Sequence, residues 1–249
     1  MSIKTKSREE IKLMKIAGSI VAMVHQEMKN IIKPGMTTKE LDDVAFQIIK
    51  DNKAEPTFLG YNGFPASICA SINEQVVHGI PSSDVVLKEG DIISIDVGAT
   101  YRGLVGDSAW TYGVGQISDD CQKLLTATEE SLMAALATIK SGVLLDDVSG
   151  ACEDVAKKYN LGIVRQYGGH GVGHNMHEEP FIFNYRTDNK LVLKKGMTFA
   201  FEPMLNLGVD DVYVLEDNWT VVTKDNKPSA HFEHTIHVTD EGAEILTKL

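Results

Sequence analysis

The chain has 249 residues, of which 43% are apolar and 24% charged, with a net charge of −11. This composition is typical of a globular protein. The charge argues against nucleic acid binding through an overall field, and no apolar run approaches the roughly 18 residues of a membrane span. Residues 1–10 are polar, and Cys69, Cys121 and Cys152 form neither a metal-binding nor a disulfide pattern, so a cytoplasmic protein is expected.

Two helices are predicted at the start of the chain. Residues 7–10 read SREE, which is the spacing of a capping box, and the apolar positions that follow repeat with a helical period. Residues 37–40 read TTKE and predict a second capped helix. We therefore expect helices over residues 8–32 and 38–50, separated by a break at Pro34-Gly35.

Strands are predicted next, and then both patterns return. Residues 66–114 contain four strand-like stretches punctuated by glycines and Pro81: SICASI, QVVHGI, DIISIDVGA and GLVGDSAWTYGVG. Helical patterns cover residues 119–139 and 146–159, and strands follow from residue 162, with a short helix or strand at 243–246. The order helices, strands, helices, strands predicts an α+β fold.

The two halves also resemble each other in sequence. Residues 87–96 read LKEGDIISID and residues 193–202 read LKKGMTFAFE, and each stretch ends on a carboxylate. Two shorter pairs, IKPG with IKSG and HGIP with HEEP, occur in the same order. We infer an internal duplication, and expect a single domain over residues 1–249 with halves of 1–115 and 116–249.

A carboxylate at the end of an apolar strand costs free energy unless it is compensated. Asp96 and Glu202 occupy this place in the two copies, Asp107 follows Asp96 across a glycine-rich hairpin, and Glu233 lies in another strand-like run. His170 lies among glycines in YGGHGVG. A single acid of this kind would be expected at the surface. Four acids and one imidazole in a symmetric set instead suit two divalent ions with bridging oxygens, a pair that can activate water.

Residues 167–185 read YGGHGVGHNMHEEPFIFNY and residues 73–81 read NEQVVHGIP. Both stretches resemble the short bacterial type I methionine aminopeptidases, and the resemblance covers nearly the full chain. It implies the pita-bread (creatinase/aminopeptidase) fold, whose two pseudo-symmetric halves enclose a dinuclear metal site. By this resemblance Asp96 is a terminal ligand of the first ion, and Asp107 and Glu233 bridge both ions. His170 and Glu202 complete the coordination sphere of the second ion. The ions would be Co, Mn, Fe or Zn.

The resemblance also implies roles in catalysis and substrate binding. His177 would hydrogen-bond the scissile carbonyl oxygen, His78 would contact the amide nitrogen, and Glu202 would move a proton. His231 and His237 share the strand face of Glu233, but a core or surface position is favoured for both. A pocket for methionine should be lined by aromatic and sulfur-containing groups. The corresponding positions are Phe58, Tyr61, Phe64, Cys69 and Trp219, with Met176 near them. Phe58 and Phe64 depart from the resembled family, in which cysteine and tyrosine are common at these two positions.

The implied activity is removal of the initiator methionine by attack of a metal-bridging hydroxide when the second residue is small. The partners would be nascent chains and peptides that begin with methionine, with transient ribosome association, no DNA or membrane, and a monomeric enzyme. Two alternatives remain open. A prolidase or aminopeptidase P would use the same five ligands but usually carries an extra N-terminal domain. A catalytically inactive pita-bread module would bind peptides, and such proteins typically lose metal ligands.

Overall fold

The capping boxes predicted from the sequence start the first two helices. This computed structural model describes residues 3–249, so Met1 and Ser2 of the predicted domain lie outside the described residues. The Ser7 hydroxyl accepts the Glu10 N–H while the Glu10 carboxylate accepts the Ser7 N–H, and the same reciprocal pair starts the second helix. The helices are α1 Arg8–Ile31, α2 Thr38–Asp51, α3 Asp119–Thr138 and α4 Leu145–Tyr159.

Within residues 3–249 the strands form four sheets, and their neighbouring strands are antiparallel. Their bounds are β1 Glu55–Pro56, β2 Ile68–Ile72, β3 Gln75–Val77, β4 Ile92–Tyr101, β5 Leu104–Gly113, β6 Gly162–Ile163, β7 Gly169–Gly171, β8 Glu178–Ile182, β9 Thr198–Phe201, β10 Met204–Asn206, β11 Val212–Val214, β12 Val221–Thr223, β13 Ser229–His231, β14 His234–Val238 and β15 Ala243–Ile245. A 3-10 turn, Tyr61–Gly63, precedes β2.

Two of these sheets carry most of the predicted site. In the first half, β1 and β2 share one edge of β4, and β5 takes the other edge. In the second half the order is β15-β14-β9-β7-β8. Two smaller sheets, β13-β10-β6 and β11-β12-β3, complete the fold, and the second of them joins strands of both halves. The predicted α+β composition is therefore present in the structure.

The two halves repeat the same contact between the turn that joins their two helices and the segment that precedes a central strand, β4 or β9. The N–H of Gly35 donates to the carbonyl of Leu87 at 2.8 Å, and the N–H of Gly142 donates to the carbonyl of Leu193 at 2.9 Å. Both glycines have nearly the same left-handed backbone, with φ of 91° and 94°. A side chain with Cβ is disfavoured in this conformation, which explains why glycine occupies both positions. These contacts support the inferred duplication.

Two strand predictions need adjustment. The stretch QVVHGI was predicted to continue as a strand, but β3 ends at Val77 because His78 adopts a left-handed backbone with φ of 61°. That conformation is uncommon for a residue other than glycine and cannot continue a strand. The region near the C-terminus, predicted as a helix or a strand, is β15, paired with β14.

The helices cover the outer faces of the sheets. Each half has its own large apolar cluster, one formed mainly by α1, α2, β2 and β4 and one mainly by α3, α4 and the strands that follow. Helix α1 crosses β5 closely, because a Cβ built on Gly106 would lie 2.6 Å from the backbone nitrogen of Gly18. This contact holds α1 directly behind Asp107. No helix within residues 3–249 is both long and apolar enough to cross a membrane.

Candidate metal centre

The four predicted acids come from different strands or strand ends of the two halves. Asp96 pairs with Ala109 and Asp107 pairs with Gly98 across the β4–β5 hairpin, so the two carboxylates are diagonal neighbours on one face. Glu202 directly follows β9, and Glu233 lies between β13 and β14. The N–H of Glu233 donates to the carbonyl of Ala109 at 2.8 Å, which ties the second half to the hairpin of the first.

His170 lies on β7, where it pairs with Ala200 of β9, and this register brings its imidazole to the acids. Its Nε2 lies 3.6 Å from Asp107 Oδ2 and 3.5 Å from Glu202 Oε1. The atoms of Asp107, His170 and Glu233 are close enough together to bind one ion. All three side chains are buried. The structure thus brings together the ligand set that the resemblance implies.

The chemistry of these residues fits divalent cations. Buried oxygens of three acids, Asp96 Oδ1, Asp107 Oδ1 and Glu233 Oε1, have no hydrogen-bond partner within residues 3–249. Buried polar atoms in folded proteins nearly always have a partner, and a buried unpaired carboxylate is costly. Cations bound between the carboxylates would compensate them.

The burial and crowding of these acids raise their pKa values. Burial raises the pKa of Asp96, Asp107, Glu202 and Glu233 well above the ordinary carboxyl range, and for three of them neighbouring carboxylates raise it further. Burial, together with the nearby ring of His177, lowers the pKa of His170 to about 3. His170 is therefore neutral at physiological pH, which is the form that binds metal.

His78 and His177, the two histidines predicted to act in catalysis, line the same cleft. The rings of His177 and His170 have centroids 4.2 Å apart, and Nδ1 of His177 lies 2.8 Å from the phenol oxygen of Tyr61. The ring of His78 meets Tyr167 and Trp219 edge-on. Burial lowers the pKa of both histidines, to about 4 for His78. Both imidazoles are therefore neutral and can donate or accept a hydrogen bond.

A cavity of about 280 Å³ opens onto the acids and these histidines. Every residue predicted from the sequence as a ligand, catalytic group or pocket residue lines it, including Phe58, Phe64, Cys69, Met176 and Trp219. The apolar wall and the acidic floor allow the cavity to hold an apolar side chain beside a metal-bound polar group. The sequence analysis did not single out several other lining residues: Asn62, Val77, Gln166, Tyr167, Gly168, Phe181 and Met204.

His231 and His237 have different positions, although their spacing in the sequence suggests one strand face. His237 lies away from the acids and its Nδ1 is 2.9 Å from Glu244. His231 is 1% exposed, as its favoured core position predicts, but its Nε2 lies 3.2 Å from Glu202 Oε2. The sequence indicated the position of His231 only through its spacing from Glu233. The two residues are two positions apart, and residues with this spacing in a strand lie on the same face.

The sequence model of metallopeptidase family M24 matches residues 12–240. The chain belongs to metallopeptidase family M24. Membership implies the use of divalent metal ions, which agrees with the acids and imidazoles that converge beneath the cavity. The catalytic class of this M24 chain is accordingly a metal-dependent hydrolase.

Comparison with similar proteins shows which members of the family this M24 chain resembles. Methionine aminopeptidase 1 of Bacillus subtilis (strain 168) is 54% identical over 245 residues, which cover 98% of each protein. The crystal structure of methionine aminopeptidase from Thermotoga maritima has a TM-score of 0.98 at 45% identity and covers 100% of both chains. These relatives confirm the predicted resemblance to type I methionine aminopeptidases.

The prolidase from Pyrococcus furiosus shares the fold of this M24 chain. It is 24% identical with a TM-score of 0.80, and the match covers 98% of this chain and 65% of the prolidase. At this identity the likeness concerns the fold alone. Together with the Thermotoga maritima structure it confirms the predicted pita-bread fold.

Proposed function

We propose that this M24 chain removes the N-terminal methionine from nascent proteins and peptides when the second residue is small. Its high identity to methionine aminopeptidases over the full chain makes it a metalloaminopeptidase of that type. The observation that carries the mechanism is the meeting of four acids and His170 at the floor of a cavity with an apolar wall. Two divalent ions, from among Co, Mn, Fe and Zn, would be held by Asp96, Asp107, His170, Glu202 and Glu233.

When bound, these ions would polarise the scissile carbonyl and supply a hydroxide nucleophile at neutral pH. In this proposal His177 donates a hydrogen bond to the carbonyl oxygen, where negative charge develops during attack. The contact with Tyr61 supports this role, because it occupies Nδ1 and leaves Nε2 for the substrate. His78 contacts the amide nitrogen, and Glu202 holds the proton that the leaving amine needs.

The apolar wall of the cavity accounts for the preference for methionine. An unbranched thioether side chain is flexible and polarisable, and packs well against aromatic rings and sulfur. Phe64 and Trp219 meet edge to face with centroids 5.1 Å apart, and with Phe58, Cys69 and Met176 they enclose the cavity. These residues would bind the methionine side chain. Tyr61 lines the same cavity and contacts His177.

Peptide cleavage by protein loaded with Mn²⁺ or Co²⁺ tests the proposed function. We expect release of free methionine from Met-Ala-Ser, much slower release from Met-Leu-Ser, and no cleavage of Ala-Pro-Ser. Addition of a chelator should abolish the activity. Fast cleavage of Ala-Pro-Ser without cleavage of Met-Ala-Ser would assign the chain to the Xaa-Pro peptidases. Metal binding without any cleavage would favour an inactive peptide-binding module.

The cellular context is part of the same proposal. The cysteines Cys69, Cys121 and Cys152 are free and buried, which suits a reducing cytoplasm. We propose that the chain acts there as a monomer on nascent chains, with transient docking on ribosomes, and binds neither DNA nor membranes. Light scattering after gel filtration tests the monomer. Co-sedimentation with ribosomes that carry nascent chains tests the docking.

A further inference from the structure

A second imidazole reaches the candidate metal centre. His231 ends β13, two residues before Glu233, and is 1% exposed. Its Nε2 lies 3.2 Å from Glu202 Oε2 and 4.0 Å from Glu233 Oε2. The ligand atoms of these three residues are close enough together to bind one ion. His231 does not belong to the ligand set implied by the sequence, so its position beside these acids needs an explanation.

The ring nitrogen of His231 has no partner of its own. Nε2 is buried and makes no hydrogen bond within residues 3–249, although Glu202 Oε2 is near. A buried nitrogen left unpaired costs free energy, and native structures rarely keep one without a ligand. Two atoms each bound to one ion at ~2.1 Å lie at most ~4.2 Å apart. Both distances from His231 Nε2 to the carboxylate oxygens fall within that limit.

Glu202 lies between two imidazoles. Its Oε1 is 3.5 Å from His170 Nε2, and its Oε2 is 3.2 Å from His231 Nε2. We propose that His231 is an additional ligand of the metal centre and binds through Nε2 the ion that it shares with Glu202 and Glu233. This inference rests on the metal centre of the proposed function. It gives the centre two imidazoles, from His170 and His231, in place of one.

A second imidazole changes which metals the centre prefers. Imidazole suits zinc and iron, whereas a site of carboxylates and water suits manganese and magnesium. The His231 ligand should therefore strengthen the binding of Zn²⁺ and Co²⁺ more than the binding of Mn²⁺. Removal of His231 should move the preference toward Mn²⁺.

X-ray absorption spectroscopy of the wild-type chain gives the first test. Multiple scattering from imidazole rings counts the histidines bound in protein loaded with Zn²⁺. We expect two imidazoles per centre. A count of one would overturn the proposal without any variant.

Paired variants give the second test. His231→Gln should lower the imidazole count by one and weaken the binding of one Zn²⁺ or Co²⁺ ion by roughly tenfold or more, with a smaller effect on Mn²⁺. His237→Gln is the matched control, because His237 lies on β14 and pairs with Glu244. It should leave the count and the affinities unchanged. Circular dichroism and thermal unfolding of the metal-free proteins check that both variants fold.

The outcomes separate this inference from the proposed function. Weaker metal binding by His231→Gln with an unchanged imidazole count would mean that His231 only positions Glu202, and would overturn the ligand assignment. A chain that binds no divalent ion at all would overturn the metal centre itself. If the wild-type centre binds one imidazole and Met-Ala-Ser is cleaved normally, His231 is not a ligand, and the proposed function is unaffected.

Discussion

The phenol oxygen of Tyr61 lies 2.8 Å from Nδ1 of His177, and the two rings stack with centroids 5.4 Å apart. Tyr61 begins the 3-10 turn of the first half, and His177 directly precedes β8 in the second half. The contact therefore crosses the cleft between the halves. It fixes the orientation of the imidazole that the proposed mechanism directs at the substrate carbonyl.

Tyr61→Phe removes this hydrogen bond and keeps the stacked ring. Since the net contribution of one hydrogen bond is ~0.5–1.5 kcal/mol, we expect kcat/KM on Met-Ala-Ser to fall roughly 2- to 10-fold. Metal affinity should not change, because Tyr61 is not a ligand. Tyr159→Phe is the matched control, since the Tyr159 hydroxyl bonds Glu130 outside the cavity. An equal fall in both variants would show that the loss is unrelated to His177.

His78→Ala and His177→Ala should keep metal and fold while losing catalysis. Loss of one donor to a developing oxyanion lowers kcat by roughly 10²- to 10³-fold, and we expect a fall of this size for His177→Ala. Kinetics on Met-Ala-Ser together with metal titration check both variants. His174→Ala serves as the control, because this exposed imidazole pairs with Glu10. Unchanged kcat/KM in both cleft variants would assign His78 and His177 to structure.

Local signals predicted the elements of this fold well. The capping residues Ser7 and Thr37 lie beside the helices that they start, so the helix starts depend on adjacent residues alone. The repeated stretches that end at Asp96 and Glu202 indicated the candidate centre for a similar reason, because a duplication repeats local patterns. The predicted place of the acid at the end of a strand is right for Glu202, which directly follows β9, but wrong for Asp96, because β4 continues to Tyr101. The left-handed backbone of His78 has no such signal, since nothing in the stretch QVVHGI requires the strand to stop.

Contacts between distant segments could not be predicted from local sequence patterns. The spacing of His231 and His237 from Glu233 is the same kind of even spacing, yet only His231 approaches the acids. The chain leaves β13 at His231 and enters β14 at His234, and this break ends the simple alternation of a strand. The partner of Tyr61 also comes from the other half, and no spacing in the sequence indicates it.

Asp107→Ala tests the central acid. Asp107 faces His170 and is 2% exposed, and the proposal makes it a bridge between both ions. We expect metal binding and activity to be lost together, as measured by titration with Mn²⁺ or Co²⁺ and by cleavage of Met-Ala-Ser. Asp120→Ala, in the exposed first turn of α3, should affect neither. A variant of Asp107 with full activity would contradict a dinuclear site.

The metal-free chain should lose stability as pH rises above the ordinary carboxyl pKa range. The pKa values of Asp96, Asp107, Glu202 and Glu233 are raised in the folded state, so the folded chain binds more protons than the unfolded chain. The stability that these protons contribute is present at low pH and is lost as pH rises through the folded pKa values.

Histidines act in the opposite direction, which sets the pH window of this test. The pKa of His170 is lowered to about 3 and that of His78 to about 4, so these groups destabilise the fold only below the ordinary histidine pKa of ~6.5. Thermal unfolding of chelated protein from about pH 6.5 to 8.5 therefore isolates the acids. We expect the Tm to fall over this range, and to stay nearly constant with saturating metal. A rising Tm without metal would contradict the raised carboxyl pKa values.

Phe58 tests the shape of the pocket. Its ring lies against the backbone of β4, because a Cβ built on Gly98 would lie 2.7 Å from Phe58 Cε1. The cysteine side chain is much smaller than that of phenylalanine, so Phe58→Cys should open the methionine pocket. A hydrophobic pocket distinguishes side chains that differ by one methylene by only ~1–3 kcal/mol, so the gain for bulky inhibitors of the methionine site should be modest.

Inhibitor binding and kinetics on Met-Ala-Ser and Met-Leu-Ser measure the effect of Phe58→Cys. The reaction should remain methionine removal, since the acids and His177 are untouched. The loss of unfolding free energy should stay below the ~3–5 kcal/mol of an enclosed Phe→Ala change, because one side of Phe58 borders the cavity. Phe46→Cys is the control, as Phe46 is 38% exposed on α2. If Phe58→Cys and the wild type bind all inhibitors alike, Phe58 does not set the size of the pocket.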